Sequence, residues 1–234
     1  MPNNNAPQWL REVLRRGFRP RKIYHFLDNS LYGYVETNSG KVVVFDNKIY
    51  VLEGLPGVGK TSLARIVTRG NKKLCRVPQI LPAESAYDQA MSQNYYFRSE
   101  ELKTKIVVQS AKNEFILDRY YHSTLAFYWA YDRVNKTAAY QRALRWYDRA
   151  LFEKKIIKPW LVFYIDIPID VSCQRKGRML SAQSPNMWLR TDFLQRFRGY
   201  YLAILPKLEP QTKIVTLSGR QNLKSLAEKI SKFI

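Results

Sequence analysis

The sequence predicts an α/β domain of three layers around a parallel sheet of about five strands, with a small helix and β-hairpin in front of it. From residue 49 onward, short apolar runs alternate with segments of helical periodicity, an order typical of parallel sheets. The run Trp160–Ile167 is almost continuously apolar, as expected for a strand that is covered on both faces. A glycine-rich segment also separates the first apolar run from the first helical one, which is where α/β folds bind phosphate.

Five segments are predicted as strands: Ile49–Leu52, Leu74–Val77, Phe115–Leu117, Trp160–Ile167 and Lys213–Leu217. Helices are predicted over Thr61–Thr68, Glu100–Ser110, Ser123–Tyr131, Ala138–Lys154, Val171–Gly177, Leu189–Leu205 and Asn222–Phe233. Every strand is followed by a helical segment, so successive strands can run in the same direction.

Residues 1–48 are predicted to form a basic extension, and residues 49–234 the main domain. The extension combines a short helix at Gln8–Arg16 with two β-like runs, Leu31–Thr37 and Lys41–Asp46. The turn residues Asn38-Ser39-Gly40 between the runs indicate a hairpin. We expect the extension to cover an edge of the domain, and an arm that docks nucleic acid or a partner is the alternative.

The chain is strongly basic, with 39 lysine and arginine residues against 19 acidic ones and a formal charge of +20. This excess favours polyanionic partners: nucleotides, nucleic acid or an acidic protein surface. The two cysteines, Cys75 and Cys173, have no metal-like spacing, which favours a reduced, cytoplasmic compartment. No apolar run is long enough to cross a membrane. A mitochondrial leader within Trp9–Lys22 is the alternative, although Glu12 argues against it.

A phosphate-binding loop is predicted at residues 54–61, which read Gly-Leu-Pro-Gly-Val-Gly-Lys-Thr. Gly54, Gly57 and Gly59 let the backbone curl so that its N–H groups face phosphate oxygens. Lys60 can bridge the outer phosphates, and the hydroxyl of Thr61 can ligate Mg²⁺. Ser62 and the helix that starts here add further N–H groups.

Asp118 and Arg119 follow the third predicted strand. A carboxylate at the end of a strand beside the phosphate loop can hold Mg²⁺ directly or through water. An adjacent arginine can stabilise charge on a phosphoryl group in transfer.

From about Lys48 onward the sequence resembles the thymidylate kinase family. The resemblance is carried by four blocks: Leu52–Thr61, Asp118–Phe127, Pro159–Asp166 and Leu189–Leu202. It implies transfer of the γ-phosphoryl group of ATP to a deoxynucleoside monophosphate, dTMP in this family, with the help of Mg²⁺.

The resemblance also implies residue roles. Lys60, Arg119, Arg175 and Arg178 would act on the phosphoryl group, the last two from a lid. The phosphates of ATP would lie against the backbone around Val58. Because Val58 is not basic, the loop has no positive charge at that position, and the lid would have to supply it. The acceptor would contact Glu53, Arg76, Arg98, Thr124 and Phe127, with Phe127 filling the space that a 2′-hydroxyl needs. Thr61 and Asp118 would hold the metal. A homodimer is a further expectation.

Two other functions stay open. Pro56 stands where the family usually has an acidic residue in the loop, and Tyr128 where many members have glutamine. These departures leave the identity of the acceptor open. A deoxynucleoside kinase of the herpesviral thymidine kinase type is the alternative, because Gly-Val-Gly-Lys-Thr and an Asp-Arg pair also suit that group, although Arg76 stands near the position where such enzymes need a carboxylate. The second is a nucleic-acid-binding protein on a kinase scaffold, whose interleaved aromatic and basic residues would stack bases.

Overall fold

The computed structural model describes residues 20–27, 31–37, 42–80, 89–110, 114–177 and 186–234. Its strands are β1 Pro20–Leu27, β2 Leu31–Thr37, β3 Val42–Gly54, β4 Leu74–Val77, β5 Glu114–Asp118, β6 Leu161–Asp166 and β7 Lys213–Ser218. The last five form a parallel sheet in the order β4-β5-β3-β6-β7. The predicted α/β class and five-stranded parallel sheet are therefore confirmed.

The helices lie between and after these strands. They are α1 Lys60–Gly70, α2 Gln89–Gln109, α3 Tyr121–Asn135, α4 Ala139–Phe152, α5 Ile169–Gly177, α6 Thr191–Gly199, α7 Leu205–Leu208 and α8 Leu223–Ser231. A 3-10 turn at Asn186–Leu189 precedes α6, and the π-helical turn Tyr200–Ile204 joins α6 to α7. In the part of the chain that is described, no helix is long and apolar enough to cross a membrane.

The N-terminal strands extend the sheet through β3. β2 pairs antiparallel with the first half of β3, and β1 pairs antiparallel with β2. The sequence pattern indicated the β2–β3 hairpin but not β1. Because β3 continues unbroken through residue 48, the domain boundary predicted there falls inside a strand, and the division into two units stays a prediction. The predicted helix Gln8–Arg16 lies outside the described residues.

The centre of the sheet is inaccessible to solvent. Val51 of β3 pairs with Leu117 of β5 on one side and with Val162 of β6 on the other, and all three are fully buried. β3 and β5 therefore end at the same edge, with Gly54 and Asp118 as their last residues. Crevices at the carboxyl ends of parallel strands are where open α/β sheets bind ligands.

Candidate active site

The loop between β3 and α1 depends on glycine at its first position. Gly54 has a φ of +138°, and a Cβ added there would lie 2.3 Å from the carbonyl oxygen of Ile165 on β6. Only a residue without a side chain allows the two strands to approach so closely. Gly59, the residue before α1, also has a positive φ, of +88°. It offers the helix no side-chain cap, so the first N–H groups of α1 are available to an anion.

Lys60 is folded back over this loop. Its Nζ donates to the carbonyl oxygens of Leu55 at 2.9 Å and Gly54 at 3.2 Å. Burial, together with the nearby guanidinium of Arg119, holds the pKa of Lys60 well below its usual range. An anion in the loop would stabilise the charged ammonium group of Lys60. The loop is therefore suited to bind phosphate.

Thr61 and Asp118 form the pair that the sequence predicts for the metal. The hydroxyl of Thr61 donates to Asp118 Oδ2 at 2.5 Å. The other oxygen, Asp118 Oδ1, is buried without a hydrogen-bond partner among the described residues. A buried carboxylate oxygen next to a hydroxyl is a suitable ligand set for Mg²⁺, which prefers hard oxygen ligands and keeps several waters.

Arg119 is held in a left-handed backbone conformation, with a φ of 64°. Its N–H donates to the carbonyl oxygen of Leu52 at 3.1 Å, which extends the β3–β5 ladder by one residue. Its Nη1 donates to the hydroxyl of Ser123 at 2.8 Å and lies 3.9 Å from Glu53 Oε2. An arginine in this uncommon region of φ is maintained by its surroundings, and such residues concentrate at functional sites.

Glu53 is fully buried and contacts Arg119 from the core side. Its Oε1 accepts from the backbone N–H of Tyr120 at 2.9 Å. Its Oε2 accepts from the hydroxyls of Tyr201, at 2.9 Å, and Ser123. Tyr201 belongs to the π-helical turn, a feature that often occurs at functional sites. Both carboxylate oxygens are thus occupied by protein donors, and Glu53 is absent from the residues that line the cavity.

A second carboxylate, Glu209, ties the start of α3 to the rest of the domain. It accepts hydrogen bonds from the hydroxyls of Tyr121, Tyr147 and Thr212, each at 2.7 Å, and lies 3.3 Å from His122 Nε2. Burial acts to raise the pKa of Glu209, but His122 and the tyrosine hydroxyls lower it to about 2. This network fixes the residues directly after Arg119.

Helix α5 packs on the outer side of the loop. The hydroxyl of Ser172 donates to the carbonyl oxygen of Pro56 at 2.8 Å, and Arg175 Nη1 donates to that of Gly57 at 3.3 Å. Gly57 has a φ of +77°, and a Cβ there would lie 2.8 Å from the Cβ of Arg175. Glycine is therefore needed at position 57 for α5 to approach.

These elements enclose a cavity of about 570 Å³. Four cationic side chains line it: Lys60, Arg119, Arg175 and Lys176. Four aromatic side chains also line it: Tyr96, Phe127, Tyr128 and Trp188. The cavity thus offers cations for a phosphate group and rings for a flat base.

Comparison with known proteins agrees with this geometry. The family model described as thymidylate kinase matches residues 72–230, well over half of the chain. The chain belongs to the thymidylate kinase family. The matched segment begins after the phosphate loop, so Gly54–Ser62 is evidence independent of the match. Family and fold together support nucleotide phosphoryl transfer, with ATP as the donor that this family implies.

Solved structures with the same fold include deoxyadenosine kinase from M. mycoides. Its complex with the products dCMP and dCDP has a TM-score of 0.62 at 13% identity, covering 79% of this chain and 97% of that one. Its complexes with dATP and with dCTP each have a TM-score of 0.59 at 13% identity, over 79% of this chain. They cover 98% and 97% of the respective chains. At this identity the likeness shows the fold alone.

The structure brings most of the predicted site residues of this kinase to the cavity. Gly57, Gly59, Lys60, Thr61, Ser62, Asp118, Arg119, Thr124, Phe127 and Arg175 all line it. Val58 is buried in the core instead. Arg178 lies outside the described residues. Arg76 is half-buried and Arg98 exposed, and neither lines the cavity. The roles of all these residues stay predictions.

Sequence reasoning missed Glu100 on α2. This side chain lines the cavity and is only 4% exposed. Its Oε2 accepts from Lys103 Nζ at 3.0 Å, and its Oε1 accepts from the hydroxyl of Thr124 at 3.3 Å. Burial raises the pKa of Glu100, against the opposing effect of the Lys103 ammonium group. A Tyr96–Glu100 spacing of four on one helix face was the available signal.

The aromatic residues interleaved with arginines are mostly part of the core. Tyr120, Tyr121, Tyr128 and Tyr147 are all buried, and Trp146 stacks on Phe97 with ring centroids 4.3 Å apart. Rings that pack against one another inside the core are not available to stack on bases at the surface, although Tyr128 also lines the cavity. The nucleic-acid alternative stays a prediction that rests on the basic charge.

Proposed function

We propose that this protein transfers the γ-phosphoryl group of ATP to the phosphate of a pyrimidine deoxynucleoside monophosphate. One observation carries the proposal. A phosphate loop with its buried lysine and a Thr61–Asp118 pair line the same cavity as four aromatic side chains.

The donor phosphates would bind to the loop. Their oxygens would accept from the backbone of Gly57–Thr61 and from Lys60, replacing the carbonyl groups of Gly54 and Leu55 that Lys60 now contacts. Thr61 and Asp118 would hold Mg²⁺, which supplies positive charge between the phosphates when bound.

Charge on the phosphoryl group in transfer would be stabilised by Lys60 and Arg119. Such reactions depend on positioning and electrostatics, so no covalent nucleophile is needed. Arg175 contributes from α5, whose contact with Gly57 holds it beside the loop. Arg178 stays a predicted lid residue.

The acceptor would occupy the aromatic part of the cavity. Phe127 packs against Trp188, with ring centroids 5.4 Å apart, and Thr124 lies one helical turn earlier. The resemblance predicts that Phe127 excludes a 2′-hydroxyl, which would select deoxyribose.

The test is ADP release from ATP and Mg²⁺ with a panel of nucleosides and monophosphates. Turnover of monophosphates is expected, and Lys60→Met should lower kcat about a hundredfold or more, the usual effect of losing one preorganised transition-state donor. Arg65→Met, an exposed cation on the same helix, is the matched control and should behave like the wild type. An active Lys60→Met protein would exclude this mechanism.

A deoxynucleoside kinase is the second candidate, and a specific observation favours it. Glu100 lines the cavity, whereas Arg76 and Arg98 do not. A carboxylate suits an acceptor hydroxyl, which must lose a proton, better than it suits an acceptor phosphate. Phosphorylation of deoxynucleosides, but not of their monophosphates, would establish this alternative.

A further inference from the structure

The charges of the cavity are unevenly distributed. Four cations line the cavity with the phosphate loop, and among the described residues the acidic ones that line it are Asp118 and Glu100. Asp118 is accounted for by its pairing with Thr61. Glu100 has no part in the transfer to a monophosphate proposed above, so its place in the cavity calls for another explanation under that proposal.

Glu100 lines the cavity together with aromatic side chains. Tyr96 precedes it by one turn on α2, and Phe127 and Tyr128 follow its partner Thr124 by one turn on α3. Residues three or four apart lie on the same face of a helix. The carboxylate and the Thr124 hydroxyl, 3.3 Å apart, therefore line the same cavity as Tyr96, Phe127 and Tyr128, so a flat ring that binds against these side chains would have the carboxylate within reach.

The carboxylate has spare capacity to accept hydrogen bonds. An ionised carboxyl group offers about four lone-pair sites, and the described donors are one ammonium group on Oε2 and one hydroxyl on Oε1. Burial raises the pKa of Glu100, and the Lys103 ammonium group, 3.0 Å from Oε2, opposes that effect. The form that pairs with Lys103, and on which the inference rests, is the ionised carboxylate, which accepts and cannot donate. A buried acceptor of this kind is stabilised by a ligand that brings an N–H group to it.

We propose that Glu100 selects an acceptor whose base carries an exocyclic amino group, which among pyrimidines means cytosine rather than thymine or uracil. The inference rests on the proposed function, because it assigns the base end of the same site. The 4-amino group of cytosine donates, whereas the 4-carbonyl group of thymine or uracil would place an oxygen lone pair against the carboxylate. Carboxylates accept from this amino group in nucleic-acid recognition for the same reason. The base differs from the dTMP that the family resemblance predicts.

The test compares substrates that differ at this edge of the ring. dCMP and dUMP, and in parallel deoxycytidine and deoxyuridine, are assayed with ATP and Mg²⁺, and their dissociation constants are measured by calorimetry. The wild type should prefer the cytosine member by about tenfold or more in kcat/KM and in affinity, the usual effect of one base-edge contact. The deoxyribonucleotide of 2-pyrimidinone has hydrogen at C4 in place of the amino group. Its kcat/KM and affinity should therefore exceed those of dUMP by much less than those of dCMP do.

Glu100→Gln tests the residue itself. Its amide can present either an oxygen or an NH₂ group, so the preference should fall below about threefold while dUMP turnover rises. Glu101→Gln is the matched control, because Glu101 is the next residue on α2 and accepts instead from the indole of Trp146 at 3.1 Å. This variant should keep the cytosine preference.

The outcomes separate the two proposals. Equal use of dCMP and dUMP by the wild type, or an equal loss on both in Glu100→Gln, would overturn the assignment of Glu100 and leave the kinase proposal intact. Absence of turnover with every acceptor would refute the kinase proposal. The dissociation constants of the cytosine, uracil and 2-pyrimidinone ligands for the wild type, measured by calorimetry, would still decide the base preference.

Discussion

Glu53→Gln tests whether the buried carboxylate positions Arg119. The substitution keeps the shape of the side chain but removes its charge and replaces one oxygen with an NH₂ group. If that group replaces Oε2, the hydroxyls of Ser123 and Tyr201 lose their acceptor. If it replaces Oε1, the Tyr120 N–H faces another donor. Either way a buried donor is left without a partner.

The expected cost follows from these contacts. A buried donor without a partner costs about 1–3 kcal/mol, and hydrogen bonds to a charged group lie at the upper end of that range. We therefore expect Glu53→Gln to lower the free energy of unfolding by about 3 kcal/mol. Arg119 also loses the carboxylate that lies 3.9 Å from its Nη1. Because a displacement of about 1 Å can cost a hundredfold in rate, kcat should fall at least tenfold.

Urea unfolding and steady-state ADP release measure the two effects. Tyr201→Phe is the control, since it removes one hydroxyl from Oε2 and leaves the charge in place. It should cost about 1 kcal/mol, the net worth of one hydrogen bond, and change kcat little. The reasoning is refuted if Glu53→Gln unfolds within about 0.5 kcal/mol of the wild type, the spread of neutral substitutions, and keeps its kcat.

Three further predictions concern the loop, acid stability and the acceptor. Gly57→Ala places a Cβ 2.8 Å from that of Arg175 at a positive φ, so ATP affinity, measured by calorimetry, should fall while the fold, followed by circular dichroism, persists. The pKa of Glu209 is lowered to about 2 from 4.5, so its contribution to stability is complete above pH 4.5 and is lost as pH falls towards 2. Glu209→Gln should therefore flatten this part of the acid-unfolding profile. Arg98→Ala should change KM for the acceptor less than about threefold, because surface substitutions have small effects; a larger change would restore its predicted role.

The fold and the position of the glycine-rich loop could be predicted because their signals are local. The predicted strand Leu74–Val77 coincides with β4, and the strand before Asp118 ends at that residue. The phosphate loop depends on glycines within eight residues and on the helix that follows it. Hydrophobic periodicity and backbone freedom are properties of short segments, so they can be read without knowing what packs against them.

The acceptor end could not be predicted in the same way. Arg98 and Glu100 are two residues apart on α2, yet Arg98 is exposed and Glu100 lines the cavity. Sequence spacing from Asp118 pointed to the arginine, and only the orientation of the helix points to the carboxylate.

The amino-acid sequence by itself determined the α/β fold, the phosphate loop and the Asp118–Arg119 pair at the end of a strand. Only the tertiary structure decided which of the 39 basic residues line the cavity, that Glu53 contacts Arg119 from inside the core, and that Glu100 lines the cavity. The physical reason is that a helix points consecutive side chains in different directions. Which direction faces the site is set by the contacts that α2 makes with elements distant in sequence, such as the Lys103 bond to the carbonyl oxygen of Arg119.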